Sequence, residues 1–276
     1  MANIPKIFFV DLDGTLINKK NKKLISDKNL KAVEWINQES KFIITTGRSY
    51  CDRKVKRILK MTNSDTAILS SGAQILYKNQ LIKESFFAVN EVSKIIEIAK
   101  KHKINFALFT SEKEYLITQN RLYKLISSLT QSKRMKSLHI KEINKIDLNK
   151  ILKITFIVYP FQINKILKKL RYSVTEVNYF SAHYNWVIEI TSSRVSKSAQ
   201  ALEICQKLNI DPHDCINFGD SMADEDLSRV LGQSVAMQNG DFEYIKNATF
   251  IAPHYKYDGF YHVVSELLNK KEEENN

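Results

Sequence analysis

Four short apolar runs organise the chain. Ile7 to Val10, Phe42 to Thr45, Ala67 to Leu69 and Cys215 to Phe218 are rich in β-branched and aromatic residues and do not alternate with polar ones, the pattern of strands buried on both faces of a parallel sheet. From about Ser26 to Glu39, Leu30, Val33 and Ile36 fall at helical spacing with Trp35 beside them, which predicts a helix between the first two strands. The runs end in DLDGT, TTGR, SSGA and GDSMAD, all small or polar. Strands alternating with helices and ending in polar residues predict an open α/β sheet, which takes its ligand at the carboxyl ends of the strands.

From about Glu84 to Ile190 the texture changes. Amphipathic helices such as VNEVSKIIEIAKKH alternate with strand-like runs such as INFALFT and KITFIVYP, and no acidic strand-end motif occurs. This block reads as a second α/β domain, residues 85–190, inserted into a parallel-sheet domain made of residues 1–84 and 191–276. A last helix is expected near Tyr261 to Leu268, with a frayed EEENN tail beyond it. The 276 residues fit two domains with a cleft between them.

Composition excludes several classes. With 43% apolar and 26% charged residues and only 7 Gly and 4 Pro, the chain is ordered and globular. The net charge of +12 raises nucleic acid as a partner, but the lysines are spread without a basic run, so the reading is a solvated basic surface, with a positive field that steers anionic substrates to the site as the alternative. No nucleic-acid partner is expected. Cys51, Cys205 and Cys215 form no CxxC pair, and their odd number argues against a secreted disulfide framework. The apolar stretch in MANIPKIFFV is too short for a signal peptide, and no segment nears the roughly 20 apolar residues of a membrane span. A cytoplasmic protein without a membrane partner is expected.

DLDGT carries the most chemistry. In extended backbone Asp11 and Asp13 share a face, so two carboxylates converge at a strand end. Such convergence is costly without a cation, and hard oxygen ligands favour Mg²⁺. Alone, the segment also suits an exposed turn with an Asx hydrogen bond. Thr46 in TTGR also suits a helix N-cap, Arg48 a surface ion pair, and Asp220 and Asp224 in GDSMAD a solvated helix start.

DLDGT, TTGR, a VSK that opens a helix, and GDxxxD, in that order at successive strand ends, resemble the haloacid-dehalogenase-like phosphatases. The resemblance spans the chain and is nearest to the Cof-type sugar-phosphate phosphatases, a Rossmann-like parallel-sheet core with a large inserted α/β cap. It implies that Asp11 is the nucleophile, that Asp13 is the general acid and base and a Mg²⁺ ligand through its carbonyl, and that the Leu12 and Asp13 amides cradle the phosphoryl oxygens. Thr46 and the Gly47 amide would bind the phosphoryl group, with Arg48 as a further cation and Lys197 holding the nucleophile. Asp220 and Asp224 would complete the Mg²⁺ site, and Asn239 would reach the phosphate pocket or the cap.

This sequence departs from the family at Ala223, where an Asn amide usually contacts phosphate, and at Ser71, where Asn is common. Arg48, Asn239 or a water molecule is expected to replace the lost donor. Thr46 and Lys197 are far apart in the sequence and Asp13 and Thr46 close, so the cap falls after the second motif; this disfavours the mutase and dehalogenase branches. The expected partner is a small phosphorylated metabolite, a sugar phosphate first. A regulatory phosphate-binding protein and a phosphotransferase are the alternatives. Tyr115, Tyr123, His183, Tyr184 and Trp186 of the insert cannot be sorted into core and pocket from sequence.

Overall fold

The computed structural model describes residues 4–17, 23–122, 124–125, 135–182 and 186–269. Strands β1 (Ile7–Asp11), β2 (Lys41–Thr45), β3 (Ala67–Leu69), β4 (Gln74–Tyr77) and β5 (Gln80–Glu84) come first. They are followed by β6 (Asn105–Thr110), β7 (Glu114–Thr118), β8 (Met135–His139), β9 (Ile151–Ile157), β10 (Val177–Ala182) and β11 (Val187–Ser192). Strands β12 (Cys215–Gly219), β13 (Gln233–Met237) and β14 (Phe250–Ala252) complete the chain. The first and last groups form one sheet in the order β14-β13-β12-β1-β2-β3-β4-β5, and the middle group a second in the order β10-β11-β9-β6-β7-β8. The architecture is the expected one, a Rossmann-like parallel α/β core with a second α/β unit inserted into it.

The core sheet is parallel from β14 to β3. Every residue of β1 is buried, because alternate side chains serve two separate hydrophobic clusters. Phe8 and Val10 pack with residues of the helices Asp27–Glu39 and Gly259–Leu267, while Ile7 and Phe9 pack with residues of the helix Lys197–Leu208. Each such side chain contributes about 1.5–3 kcal/mol of burial, so β1 firmly anchors the aspartate at its end. In register Val10 lies beside Phe218 and Asp11 beside Thr45, which brings the carboxyl ends of β12, β1 and β2 abreast. The Asp27–Glu39 helix starts where Ser26 accepts the Asn29 amide, an ordinary N-cap.

The second sheet is antiparallel except for β7 and β8. One face carries Phe106, Leu108, Ile154, Phe156, Ile188 and Ile190 under the helices Val89–Lys101 and Ile163–Ser173. The alternate residues Lys153 and Glu189 leave by the opposite face, toward the loops of the core sheet. Tyr115 packs half-buried against the apolar cluster and Trp186 is exposed beside Tyr159. Tyr123, His183, Tyr184 and the EEENN tail lie outside the described residues. Among the described residues no helix is long and apolar enough to cross a membrane.

Candidate active site

Asp11 closes β1 and is buried, and its partner comes from the far end of the chain. Lys197, the first residue of its helix, donates from Nζ to Asp11 Oδ1 at 2.9 Å and to Asp224 Oδ1 at 2.6 Å. A lysine in the first turn of a helix works against the macrodipole, so these two carboxylates are what hold it there. Asp224 is wholly buried in the first turn of the helix Met222–Ser228. Its Oδ2 accepts the Ser221 hydroxyl at 2.6 Å and the Ser221 and Asp220 amides at 3.1 and 3.3 Å, which fixes the turn after β12.

Asp220 in that turn lies against the DLDGT loop. Gly14 has φ +99°, and a Cβ there would fall 2.1 Å from Asp220 Oδ2, so only glycine fits. The loop folds back on itself as the Leu12 carbonyl accepts the Leu16 and Ile17 amides at 3.1 and 2.8 Å. The Leu12 side chain is buried in the core beneath the loop. Three carboxylates, Asp11, Asp220 and Asp224, thus present ligand atoms within 4.8 Å of one another.

Burial pushes the Asp11 carboxyl well above the usual carboxylate range; Asp224 and Asp220 push the same way and Lys197 opposes them. Burial by itself would lower Lys197, but Asp11 and Asp224 outweigh it and hold the ammonium above its ordinary value. One ammonium therefore faces three carboxylates, and the site has room in its charge balance for a cation.

The convergence expected of Asp11 and Asp13 takes a different form. It is Asp220 and Asp224 whose carboxylates meet Asp11, whereas Asp13 is held by Arg48 in a two-pronged fork, Nε to Oδ2 at 2.5 Å and Nη2 to Oδ1 at 2.7 Å. Arg48 Nη1 reaches Asp52 Oδ2 at 2.7 Å, and Asp52 Oδ1 caps the helix Arg53–Met61 by accepting the Lys54 amide. Burial opposes the Arg48 charge, and the two aspartates more than offset it. Since Asp52 is the N-cap, Thr46 is not: its buried hydroxyl accepts the Arg48 amide at 3.2 Å, and its backbone bonds the Ile68 carbonyl and the Ser71 amide. Asn239 donates to the Gly14 carbonyl at 2.9 Å and accepts the Tyr255 amide at 3.0 Å, so it braces the DLDGT loop from behind.

Four further polar residues of the site escaped sequence reasoning: Asp52, Glu114, Lys153 and Glu189. Glu114, wholly buried, accepts the Ser49 hydroxyl at 2.7 Å. Lys153 reaches the Gly47 carbonyl at 2.7 Å, and Glu189 accepts the Ser71 hydroxyl at 3.0 Å. Burial would raise the Glu189 carboxyl, but Lys153, Ser71 and the more distant Lys197 bring it below its ordinary value. The available signal was a charged residue in the middle of an apolar strand, ILKITFI and VIEITS.

The family model for haloacid dehalogenase-like hydrolases matches residues 8–264. The chain belongs to the haloacid dehalogenase-like hydrolases. A Buchnera aphidicola subsp. Acyrthosiphon pisum protein named "Putative phosphatase BU028/BU029" is 30% identical over 245 residues, covering 86% of each chain. A Mycoplasma pneumoniae protein named "Putative phosphatase" is 25% identical over 283 residues, 96% of this chain and 98% of the other. Among solved structures, a haloacid dehalogenase-like hydrolase from B. subtilis has a TM-score of 0.80 at 18% identity over 95% of this chain and 99% of that one. The HAD subclass IIB sugar phosphatase BT4131 has a TM-score of 0.80 at 18% identity, over 95% and 98%. The haloacid dehalogenase-like fold with its cap is therefore this chain's fold, the second sheet being the cap. The family, the names of the relatives and the charge set agree on a hydrolytic enzyme of the phosphatase kind.

Proposed function

We propose that this hydrolase is a Mg²⁺-dependent phosphomonoesterase for small phosphorylated metabolites, sugar phosphates first, working through an aspartyl-phosphate on Asp11. The observation that carries the reading is the Lys197 ammonium clasped between Asp11 and Asp224 with Asp220 at the same strand end. Three hard oxygen donors against one ammonium fit Mg²⁺. Asp11, Asp220 and the Asp13 carbonyl would hold it, with Asp224 in support, since both Asp224 oxygens are already hydrogen-bonded. When bound, the metal neutralises charge on the phosphoryl oxygens and keeps Asp11 ionised.

The residues divide the reaction between them. Asp11 attacks phosphorus through the oxygen that Lys197 does not hold; the phosphorus–oxygen bond to the alcohol breaks, and Asp13 gives that oxygen its proton. Asp13 then takes a proton from the water that attacks the aspartyl-phosphate, which restores Asp11 and frees orthophosphate. Arg48 serves the proton transfers by position: its two-pronged fork orients the Asp13 carboxylate at the strand end, and its third nitrogen is anchored on Asp52. Thr46 and the Gly47 amide, at the end of β2 beside Asp11, receive the phosphoryl oxygens.

A panel of phosphorylated metabolites, assayed with Mg²⁺ and with EDTA for released phosphate and for transfer products, tests this. Phosphate release that needs both Mg²⁺ and Asp11 supports it. Transfer without hydrolysis would instead indicate a phosphotransferase, and tight phosphate binding without either would indicate a regulatory protein.

A further inference from the structure

Lys153 stands where an apolar residue is expected. It lies in β9 between the buried Leu152 and Ile154, is itself only 3% exposed, and its ammonium sits 4.7 Å from the centre of the Phe109 ring. A buried ammonium is costly unless it is paired. Here it crosses from the cap to the core, donating to the Gly47 carbonyl at 2.7 Å and to Glu189 Oε2 at 3.2 Å, and the same carboxylate oxygen accepts the Ser71 hydroxyl. Packing a cap on a core needs only apolar contact. This chain instead directs an ion pair at one peptide carbonyl and one hydroxyl.

Those two groups belong to the turns that follow β2 and β3. The Ser71 amide donates to the Thr46 carbonyl at 3.0 Å and the Ser70 amide to the Arg48 carbonyl at 2.8 Å, so the two turns hold each other. Ser70 and Ser71 both have positive φ, 51° and 56°. Residues with side chains keep that backbone shape only where their surroundings impose it. Gly47 marks the meeting point: a Cβ there would lie 3.2 Å from Lys153 Nζ and 3.3 Å from Ser71 Oγ, so cap and turns close tightly around this position.

We propose that Lys153 and Glu189 are positioning residues carried by the cap, which hold the Gly47 and Ser71 turns in the shape that receives the phosphoryl group only while the cap lies on the core. The proposal rests on the phosphatase reading above. Because the pair acts on the turn and not on the leaving group, its loss affects every phosphomonoester alike. Because it acts through hydrogen bonds to a strained turn, its loss also loosens that turn when no substrate is present.

The test compares wild type with Lys153→Met and with the milder Glu189→Gln, which keeps an oxygen for Ser71 if the first variant folds poorly. Kinetics on phenyl phosphate and on glucose 6-phosphate in Mg²⁺ should show kcat reduced roughly tenfold or more for Lys153→Met, by a similar factor on both substrates, with KM changed less than about threefold. Hydrogen exchange on the ligand-free proteins should quicken for the amides of residues 46–52 and 70–72, with β1 and β12 unchanged. Loss on glucose 6-phosphate alone, or in KM alone, would show that the pair reads the leaving group and overturn the proposal, as would unaltered exchange in the two turns. Exchange needs no turnover, so a wild-type protein inactive on both esters counts against the phosphatase reading, and the exchange result still decides whether the cap holds the turns.

Discussion

Replacing Lys197 with methionine removes one charge and leaves three. The side chains are close in shape, so the perturbation is the loss of two hydrogen bonds, 2.9 Å to Asp11 and 2.6 Å to Asp224, and of the ammonium they share. Removing one partner of a buried ion pair costs about 3–5 kcal/mol. Asp11 already sits where burial favours its protonated form, so it takes up a proton and relieves part of that cost, which places the loss near the lower figure. At about 2–4 °C per kcal/mol for a chain of this size, the melting temperature at pH 7 in EDTA should fall by about 6–12 °C. Mg²⁺ should narrow the deficit, because a cation among the same carboxylates replaces some of the missing charge. The double variant Lys197→Met/Asp224→Asn should recover more than half of it, since Asn keeps an oxygen for Ser221 while shedding the buried charge. Thermal unfolding followed by circular dichroism measures all three. A fall below about 2 °C in EDTA, or no recovery in the double variant, would refute the view that Lys197 holds the site together electrostatically.

Asp11→Asn should fold and release no phosphate. Its stability in EDTA has a defined sign: the folded-state value of Asp11 is raised, so wild-type stability is fullest below the ordinary carboxylate range and declines as pH rises, and the variant should melt above wild type at pH 8 with the gap closing toward pH 4; an opposite trend contradicts the electrostatics. Asp13→Asn should slow turnover about 10²- to 10⁴-fold and leave aspartyl-phosphate detectable by mass spectrometry if hydrolysis is the slower step; an unchanged rate and pH profile would exclude the acid–base role. Asp220→Ala should raise the Mg²⁺ concentration needed for half-maximal activity steeply, and a metal titration identical to wild type would remove Asp220 from the metal site. Ala223→Asn should raise kcat/KM roughly ten- to a hundredfold, the worth of a charge-assisted hydrogen bond of about 1.5–3 kcal/mol, because Arg48 and Asn239 are committed to Asp13, Asp52, Gly14 and Tyr255 and leave the donor at this position unreplaced; flat kinetics would mean that water already fills the place.

What could be read from sequence was whatever repeats a local rule. Strands buried on both faces announce themselves by unbroken apolar runs, so β1, β2, β3 and β12 and the residues at their ends were legible, and VSK at a helix start set Lys197 apart from the many other lysines. The hairpin of β4 and β5 was not: its two-residue turn uses Lys78 and Asn79, both at positive φ, without the glycine that usually marks such a turn. Nor was the fork from Arg48 to Asp13, because pairing across the sheet ends depends on register and on Asp52, which caps a helix beginning later than TTGR suggests. Lys153 and Glu189 were hidden for the opposite reason, since each sits in a run whose apolar pattern reads as ordinary core.

The placing of β1 between β2 and β12 has a consequence for how the molecule is made. Ile7 pairs with Lys41 on one side and with Cys215 on the other, so one edge of this strand is covered early in synthesis and the other only after the whole cap has been translated. At roughly 5–20 residues per second, the open edge of Ile7-Phe8-Phe9-Val10 waits for on the order of ten seconds or longer. An unpaired apolar strand is a template for association with another chain. Until β12 slots in, the nascent protein carries its catalytic aspartate on an adhesive edge, and the late, long-range pairing that seals it also brings in Lys197, Asp220 and Asp224, so a chain stopped short of Asp224 lacks the complete set of catalytic charges.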